Sequence, residues 1–145
     1  MARVKIKFPD HTPLATLSIP VRIGDINYGN HVGNDAILSI IHEARMQAFT
    51  GQGWTELDCG GHGIIMADVM IAYRGESFYG DILEIKLFAD ELTERTFDLL
   101  YHLTAVRNGA SIEIAQAKTG MVCFDYSAKK VSLMSNNLKT WLLGV

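Results

Sequence analysis

The stretch "DAILSIIHEARMQAFT", Asp35 to Thr50, decides the fold. Ile37, Ile40, Ile41, Ala44 and Ala48 fall at helical spacing and so lie on one stripe of an α-helix. Asn34 or Asp35 is placed to cap its first turn, and Gly51 is placed to end it. A helix with a single apolar stripe must bury that stripe against something. The segments around it are strand-like, so the partner is a sheet.

Before the helix, "LATLSIPVRI", Leu14 to Ile23, has β-branched residues and partial alternation, with Pro20 marking an edge or a bend. After it, "GQGWTELDCGGHG", Gly51 to Gly63, is a glycine-rich connection. Four strand-like runs follow. In 65–73, Ile65, Ala67, Val69, Ile71 and Tyr73 are expected on one face. In 82–89, Leu83, Ile85 and Leu87 alternate with Glu84 and Lys86. In 97–106, Phe97, Leu99, Tyr101 and Leu103 alternate with Asp98, His102 and Thr104. The last run spans 112–125 and follows Asn108-Gly109, a strong type I′ hairpin signal. "NNLKTWLL", Asn136 to Leu143, predicts a short closing helix. One long helix with antiparallel strands is an α+β pattern, satisfied by a curved antiparallel sheet wrapped around that helix.

The chain has 145 residues, the size of one domain, and 1–145 is expected to form a single unit. Its 13 basic and 16 acidic residues give a net charge of −3, which argues against nucleic-acid binding. The hydrophobic fraction of 48% is high for a small monomer and points to an interface between copies. Cys59 and Cys123 form no CxxC and predict buried, reduced thiols. The N-terminus has no apolar signal core, and no run approaches the ~20 residues of a membrane span, so a cytoplasmic protein with no membrane contact is expected.

The chemistry concentrates in the loop before the helix, "GDINYGNHVGN", Gly24 to Asn34. Asp25 is followed closely by Asn27, Asn30, His31 and Asn34. One reading is turn chemistry, since Asp and Asn bond their own backbone and tolerate left-handed conformations. The other is an electrophilic site. The unpaired N–H groups of a helix start can hold a developing oxyanion, and a neighbouring carboxylate can attack a carbonyl or activate water. The residues alone leave both readings open. There is no GxSxG elbow, no P-loop and no GxGxxG after a strand. His42 lacks the second histidine of a zinc helix, so no metal is expected.

The segment "DINYGNHVGNDAILSIIHEAR" resembles the signature of the hot-dog-fold acyl-CoA thioesterases of the 4-hydroxybenzoyl-CoA thioesterase family. That pattern is D-x-D-x-x-G-H-V-N-N followed by E-x-R on the helix. Asp25, His31-Val32, Asn34, Glu43 and Arg45 match it. Asn27 replaces its second acid, Asn30 its glycine and Gly33 its first asparagine, and Ile37 falls near its aromatic. "IAYRGESFYGDILEI", Ile71 to Ile85, and "TGMVCFDY", Thr119 to Tyr126, resemble the family's later segments. The likeness covers about residues 16–127.

The resemblance implies a hot-dog fold and hydrolysis of an acyl-CoA or acyl-carrier-protein thioester. Asp25 would be the nucleophile or general base, beside His31 and the helix-start amides of Val32, Gly33 and Asn34. Asn27, Ile37, Glu43, Trp54 and Arg74 are the candidate substrate contacts, with Trp54 on the loop expected to shape the acyl pocket. Glu43 and Arg45 cannot pair with each other at i,i+2 and must each find a partner off the helix. Arg74, Lys86, Arg107, Lys129 and Lys130 are candidates for the coenzyme A phosphates. No cofactor is expected, coenzyme A being part of the substrate. The partners expected are that substrate and further copies of the chain, as a homodimer or homotetramer. Two other functions fit the same fold. One is a hydratase or dehydratase on a 3-hydroxyacyl thioester with His31 as base. The other is a non-catalytic acyl-CoA binding domain, which the lack of room for a DNA-binding segment disfavours.

Overall fold

The structure, a computed structural model, describes residues 1–145. The elements run β1 (Ala15–Pro20), a 3₁₀ turn (Ile23–Asp25), α1 (Asn34–Thr50), β2 (Gly63–Tyr73), β3 (Ile82–Asp90), β4 (Thr96–Arg107), β5 (Ala110–Asp125), β6 (Lys130–Val131) and α2 (Asn136–Leu143). The six strands form one antiparallel sheet in the order β1-β3-β4-β5-β2, with β6 added to β5. Helix α1 packs its apolar stripe on this sheet. Ile37, Ile40, Ile41, Ala44 and Ala48 are all buried, joined by Leu83, Ile85 and Leu87 of β3 and Phe97, Leu99 and Leu103 of β4.

The hairpin signal holds. Asn108 and Gly109 have φ of 51° and 77°, and Arg107 faces Ala110 across the two-residue turn. Pro20 ends β1, which is an edge strand, so its missing N–H costs no ladder bond. Ser135 caps α2 by accepting from Leu138 N, and Gly144 closes it at φ 74°.

Two expectations change, and one strand is added. The N-cap of α1 is Gly33, neither Asn34 nor Asp35, and no side chain caps the helix. Ile65 does not share a face with Val69, Ile71 and Tyr73. A bulge between Met66 and Asp68 shifts the register, so Ile64, not Ile65, faces the core. Gly120 N and Lys118 Nζ both donate to Asp68 Oδ1, at 3.0 and 2.8 Å, which fixes the bulge. The added strand is β6, which has no sequence signal.

The two thiols are free and buried. Burial pushes Cys59 up to about 12 and Cys123 up to about 11, so both stay protonated and unreactive at neutral pH. No helix is long and apolar enough to cross a membrane.

Candidate active site

The loop from Asp25 to Gly33 folds back on itself. Asn27 N donates to His31 O at 2.9 Å, Gly29 N to Asn27 Oδ1 at 2.8 Å, and Asn30 sits at φ 65°. This is the turn chemistry that the residue types allow. It also aims the start of α1. Val32 N donates to Ser77 O at 2.8 Å, and Gly33 N donates to Asp25 O at 3.0 Å. Those two amides are therefore spent, contrary to the expectation that Val32 and Gly33 offer free donors. The unpaired ones are the N–H groups of Asn34 and Asp35, which meet no acceptor in the chain. With no side-chain cap, the positive end of the helix dipole is left open there.

Asp25 is 6% exposed. Its Oδ2 accepts from Arg22 N at 2.8 Å, and its Oδ1 lies 3.6 Å from the Arg22 guanidinium with no hydrogen bond of its own. One oxygen is thus held and the other is available. Arg22 itself is 76% exposed, a cation at the mouth of the site.

The predicted residues divide between two cavities on either side of the helix start. One, of about 270 Å³, is lined by His31, Val32, Asn34, Ile37 and Arg74, with Ser77 behind them. His31 Nδ1 lies 3.0 Å from Val32 O. A carbonyl only accepts, so Nδ1 carries the hydrogen, and Nε2 of the neutral ring bears the lone pair. The other cavity, of about 520 Å³, is lined by Arg22, Asp25, Asp35, Ala36 and Ser39. The structure therefore does not bring Asp25 and His31 to one spot. Asn34 lines the first cavity and Asp35 the second, so the helix start borders both.

Other expected contacts lie elsewhere. Glu43 is exposed on α1 and has no partner, whereas Arg45 is buried and donates to Tyr101 Oη at 3.0 Å. Trp54 stacks edge-on with Phe49 and Trp141, at 6.4 and 5.8 Å, so the aromatic cluster under α2 draws it away from both cavities. Two of the phosphate candidates are occupied. Arg74 Nη2 donates to Val4 O at 2.7 Å, and Arg107 Nη2 donates to Asp81 Oδ2 at 2.6 Å.

Some contributing residues escaped the sequence reading. Ser39 and His42 lie on the outer flank of α1, and Glu56 reaches His42 from the glycine-rich loop. Their signal was a polar line beside the apolar stripe, at positions 39 and 42. In the sequence Asp81 stands out only as part of the segment Ile71 to Ile85. Its carboxylate accepts from Ser77 Oγ, Phe78 N and Arg107, and so fixes the connection that presents Ser77 O to Val32.

The model of the thioesterase-like superfamily matches residues 21–142. The chain belongs to that family and is a thioester hydrolase of the hot-dog fold. It is 30% identical over 128 residues to a 1,4-dihydroxy-2-naphthoyl-CoA hydrolase of Acaryochloris marina, covering 84% of this chain and 90% of that one. Among solved structures, a 1,4-dihydroxy-2-naphthoyl-CoA thioesterase from Synechocystis superposes with a TM-score of 0.78 at 17% identity, covering 90% and 96% of the two chains. A 4-hydroxybenzoyl-CoA thioesterase complexed with 4-hydroxybenzoyl-CoA superposes at 0.76 with 14% identity, covering 88% and 97%.

Proposed function

We propose that the chain hydrolyses an acyl-CoA thioester at the open start of α1. The observation that carries this reading is the pair of unpartnered amides, Asn34 N and Asp35 N, beside a buried carboxylate with a free oxygen. The thioester oxygen accepts from those amides, where the helix start stabilises the charge that develops on it. Asp25 Oδ1 takes a proton from a water, and the water oxygen attacks the carbonyl carbon. The tetrahedral intermediate collapses by breaking the C–S bond. The thiolate leaves and takes back the proton held by Asp25, giving free acid and coenzyme A and restoring the carboxylate. General-base attack suits a carboxylate that is only 6% exposed, because a water reaches it more readily than a thioester carbon does. The exposed Arg22 guanidinium at the mouth suits a phosphate of coenzyme A. The scheme calls on no cofactor beyond the coenzyme A of the substrate.

A second reading makes His31 Nε2 the base from the smaller cavity, supported by the tautomer that Val32 O imposes. The hydratase alternative has less support, since it needs a histidine and an acid acting together, and these line different cavities. The active form is a homodimer built on the unpaired edge of β2, whose Met66, Val69 and Tyr73 are exposed.

The test is thiol release from a panel of short, long and aromatic acyl-CoAs, repeated with Asp25→Asn and His31→Gln. Asp25→Asn is expected to lower kcat by at least ~10² while substrate still binds. Parent activity in Asp25→Asn with a comparable loss in His31→Gln transfers the base role to His31. No release from any substrate, with tight binding, makes the protein an acyl-CoA binder.

A further inference from the structure

The amides of Asn34 and Asp35 are open at the start of α1, and no side chain of the helix caps that turn. One side chain from the sheet does reach it. Tyr73 Oη donates to Asn34 O at 2.9 Å. That carbonyl belongs to the same peptide unit as the Asp35 N–H. The bond therefore acts on the other end of a group assigned to the thioester oxygen.

Tyr73 is placed for this by β2. It pairs with Ala115 of β5, which is fully buried, so both side chains leave the sheet on the face that α1 covers. The end of the strand is firmly held. Arg74 N and Gly75 N both donate to Ile114 O, at 2.9 and 3.1 Å. The N-terminal arm grips the same place. Arg3 Nη2 donates to Tyr73 O at 3.1 Å, and Arg74 Nη2 donates to Val4 O at 2.7 Å. Tyr73 also lines the cavity of about 270 Å³ that His31 and Asn34 line.

We propose that Tyr73 is a positioning residue for the hydrolysis: its hydroxyl ties the uncapped first turn of α1 to the sheet and polarises the Asn34–Asp35 peptide, making the Asp35 N–H a stronger donor to the oxyanion. The inference rests on the reaction centre assigned above. A carbonyl has two lone pairs, so the bond from Tyr73 adds to the one that an α-helix makes at that oxygen. Drawing electron density toward Asn34 O leaves the nitrogen of the same peptide poorer in charge, because resonance joins the two. Hydrogen bonds linked in this way strengthen one another. The gain is largest when full negative charge stands opposite the N–H, which is the case in the tetrahedral intermediate and not in the bound thioester. The effect therefore falls on kcat and leaves KM nearly alone.

The experiment compares the wild type, Tyr73→Phe and a protein with 3-fluorotyrosine in place of Tyr73. The substrates are 4-hydroxybenzoyl-CoA and the fastest-cleaved member of the panel above, and Asp25→Asn is assayed beside them. Amide NMR spectra of the isotope-labelled proteins are recorded without substrate. Tyr73→Phe keeps the ring and loses only the hydroxyl. It is expected to lower kcat about three- to tenfold, the value of one ordinary hydrogen bond, with KM within about twofold and the melting temperature little changed. 3-Fluorotyrosine, a stronger donor, gives a kcat at or above the wild-type value in mildly acidic buffer, where it keeps its proton. In the spectra, the Asp35 amide moves upfield in Tyr73→Phe. A tyrosine that only packed the strand end would change KM or stability, and kcat would not follow donor strength. Unchanged kcat in a folded Tyr73→Phe while Asp25→Asn is impaired strikes down the role of Tyr73 alone. A fluorotyrosine protein as slow as Tyr73→Phe, or an Asp35 resonance that ignores the substitution, overturns it as well. Full activity in Asp25→Asn is a different failure: the reaction centre is then wrong, and this inference falls with it.

Discussion

Asn34 is the residue on which the proposed chemistry turns, and its backbone can be tested separately from its side chain. It is the first residue of α1, where proline is tolerated because the N–H is unbonded in any case. Gly33 before it has φ −69° and ψ 153°, the extended geometry that a residue preceding proline prefers. Asn34→Pro therefore removes one amide hydrogen and leaves the helix in place. If that hydrogen helps hold the oxyanion, kcat falls by about 10²–10³. The melting temperature should change little. Full activity in a folded Asn34→Pro would rule out the Asn34 amide as the donor. The sequence could not have singled out this amide. It placed the oxyanion donors at Val32 to Asn34 from the helix start alone. Which of them stay free depends on Ser77 O and on the backbone of Asp25, the first of them far along the chain. The side-chain cap expected from Asn34 or Asp35 fails for a related reason. Asp35 Oδ1 lies 2.7 Å from where a Cβ on Gly33 would sit, turned toward the N-cap residue and accepting no first-turn amide.

Among the elements, the connection from β2 to β3 acts on the site from outside it. Ser77 is 2% exposed and supplies the carbonyl that pins Val32. Its position depends on Asp81, whose carboxylate gathers Ser77 Oγ, Phe78 N and Arg107, while Arg107 also stacks 4.8 Å over the Phe78 ring and donates to Glu76 O at 2.5 Å. The Arg107 hydrogen bond holds the Asp81 carboxyl below its ordinary value of 3.8. Stability drawn from a depressed carboxylate is fully present above the unfolded-state value and is lost as pH falls through the folded-state value. Asp81→Asn is expected to cost about 2 kcal/mol at neutral pH, the scale of a charge-assisted hydrogen bond, or about 4–8 °C in Tm. The difference between wild type and variant should shrink below about pH 4, where the unfolded carboxyl begins to hold its proton. A gap in Tm that persists unchanged in strong acid would show that the carboxylate charge is not its source. Strand alternation and the Asn108-Gly109 turn were legible because they are local. The bulge in β2 was not, since it is made by Asp68 reaching Gly120 and Lys118 on the neighbouring strand. For Arg45 the helix spacing says only that its partner lies off the helix. That Tyr101 and Glu56 receive it in the core is visible only once the strands are assembled.

At the scale of the whole molecule, the sheet ends asymmetrically. On one side β1 is short and closes with Pro20, a feature that blunts an edge. On the other, β2 runs for 11 residues with one backbone edge unpaired and with Met66, Val69 and Tyr73 at 38–42% exposure. A long, partly apolar edge is a template for pairing with another chain, and antiparallel pairing of β2 with its own copy would satisfy both. Met66 also lines the cavity beside His42, which shares Ser39 with the cavity of Asp25, so a partner on this edge would cover that flank of α1. Assembly and substrate binding should therefore fail together. Val69→Lys puts a charge on this edge where it would meet the same charge from the partner. It is expected to convert a dimer seen by analytical ultracentrifugation into monomer. Hydrolysis by that monomer should fall by more than about tenfold, chiefly through KM, since an uncovered flank of α1 leaves the apolar part of the substrate in water. An active monomer of the parent protein at micromolar concentration would contradict this account, as would a monomeric Val69→Lys with undiminished KM.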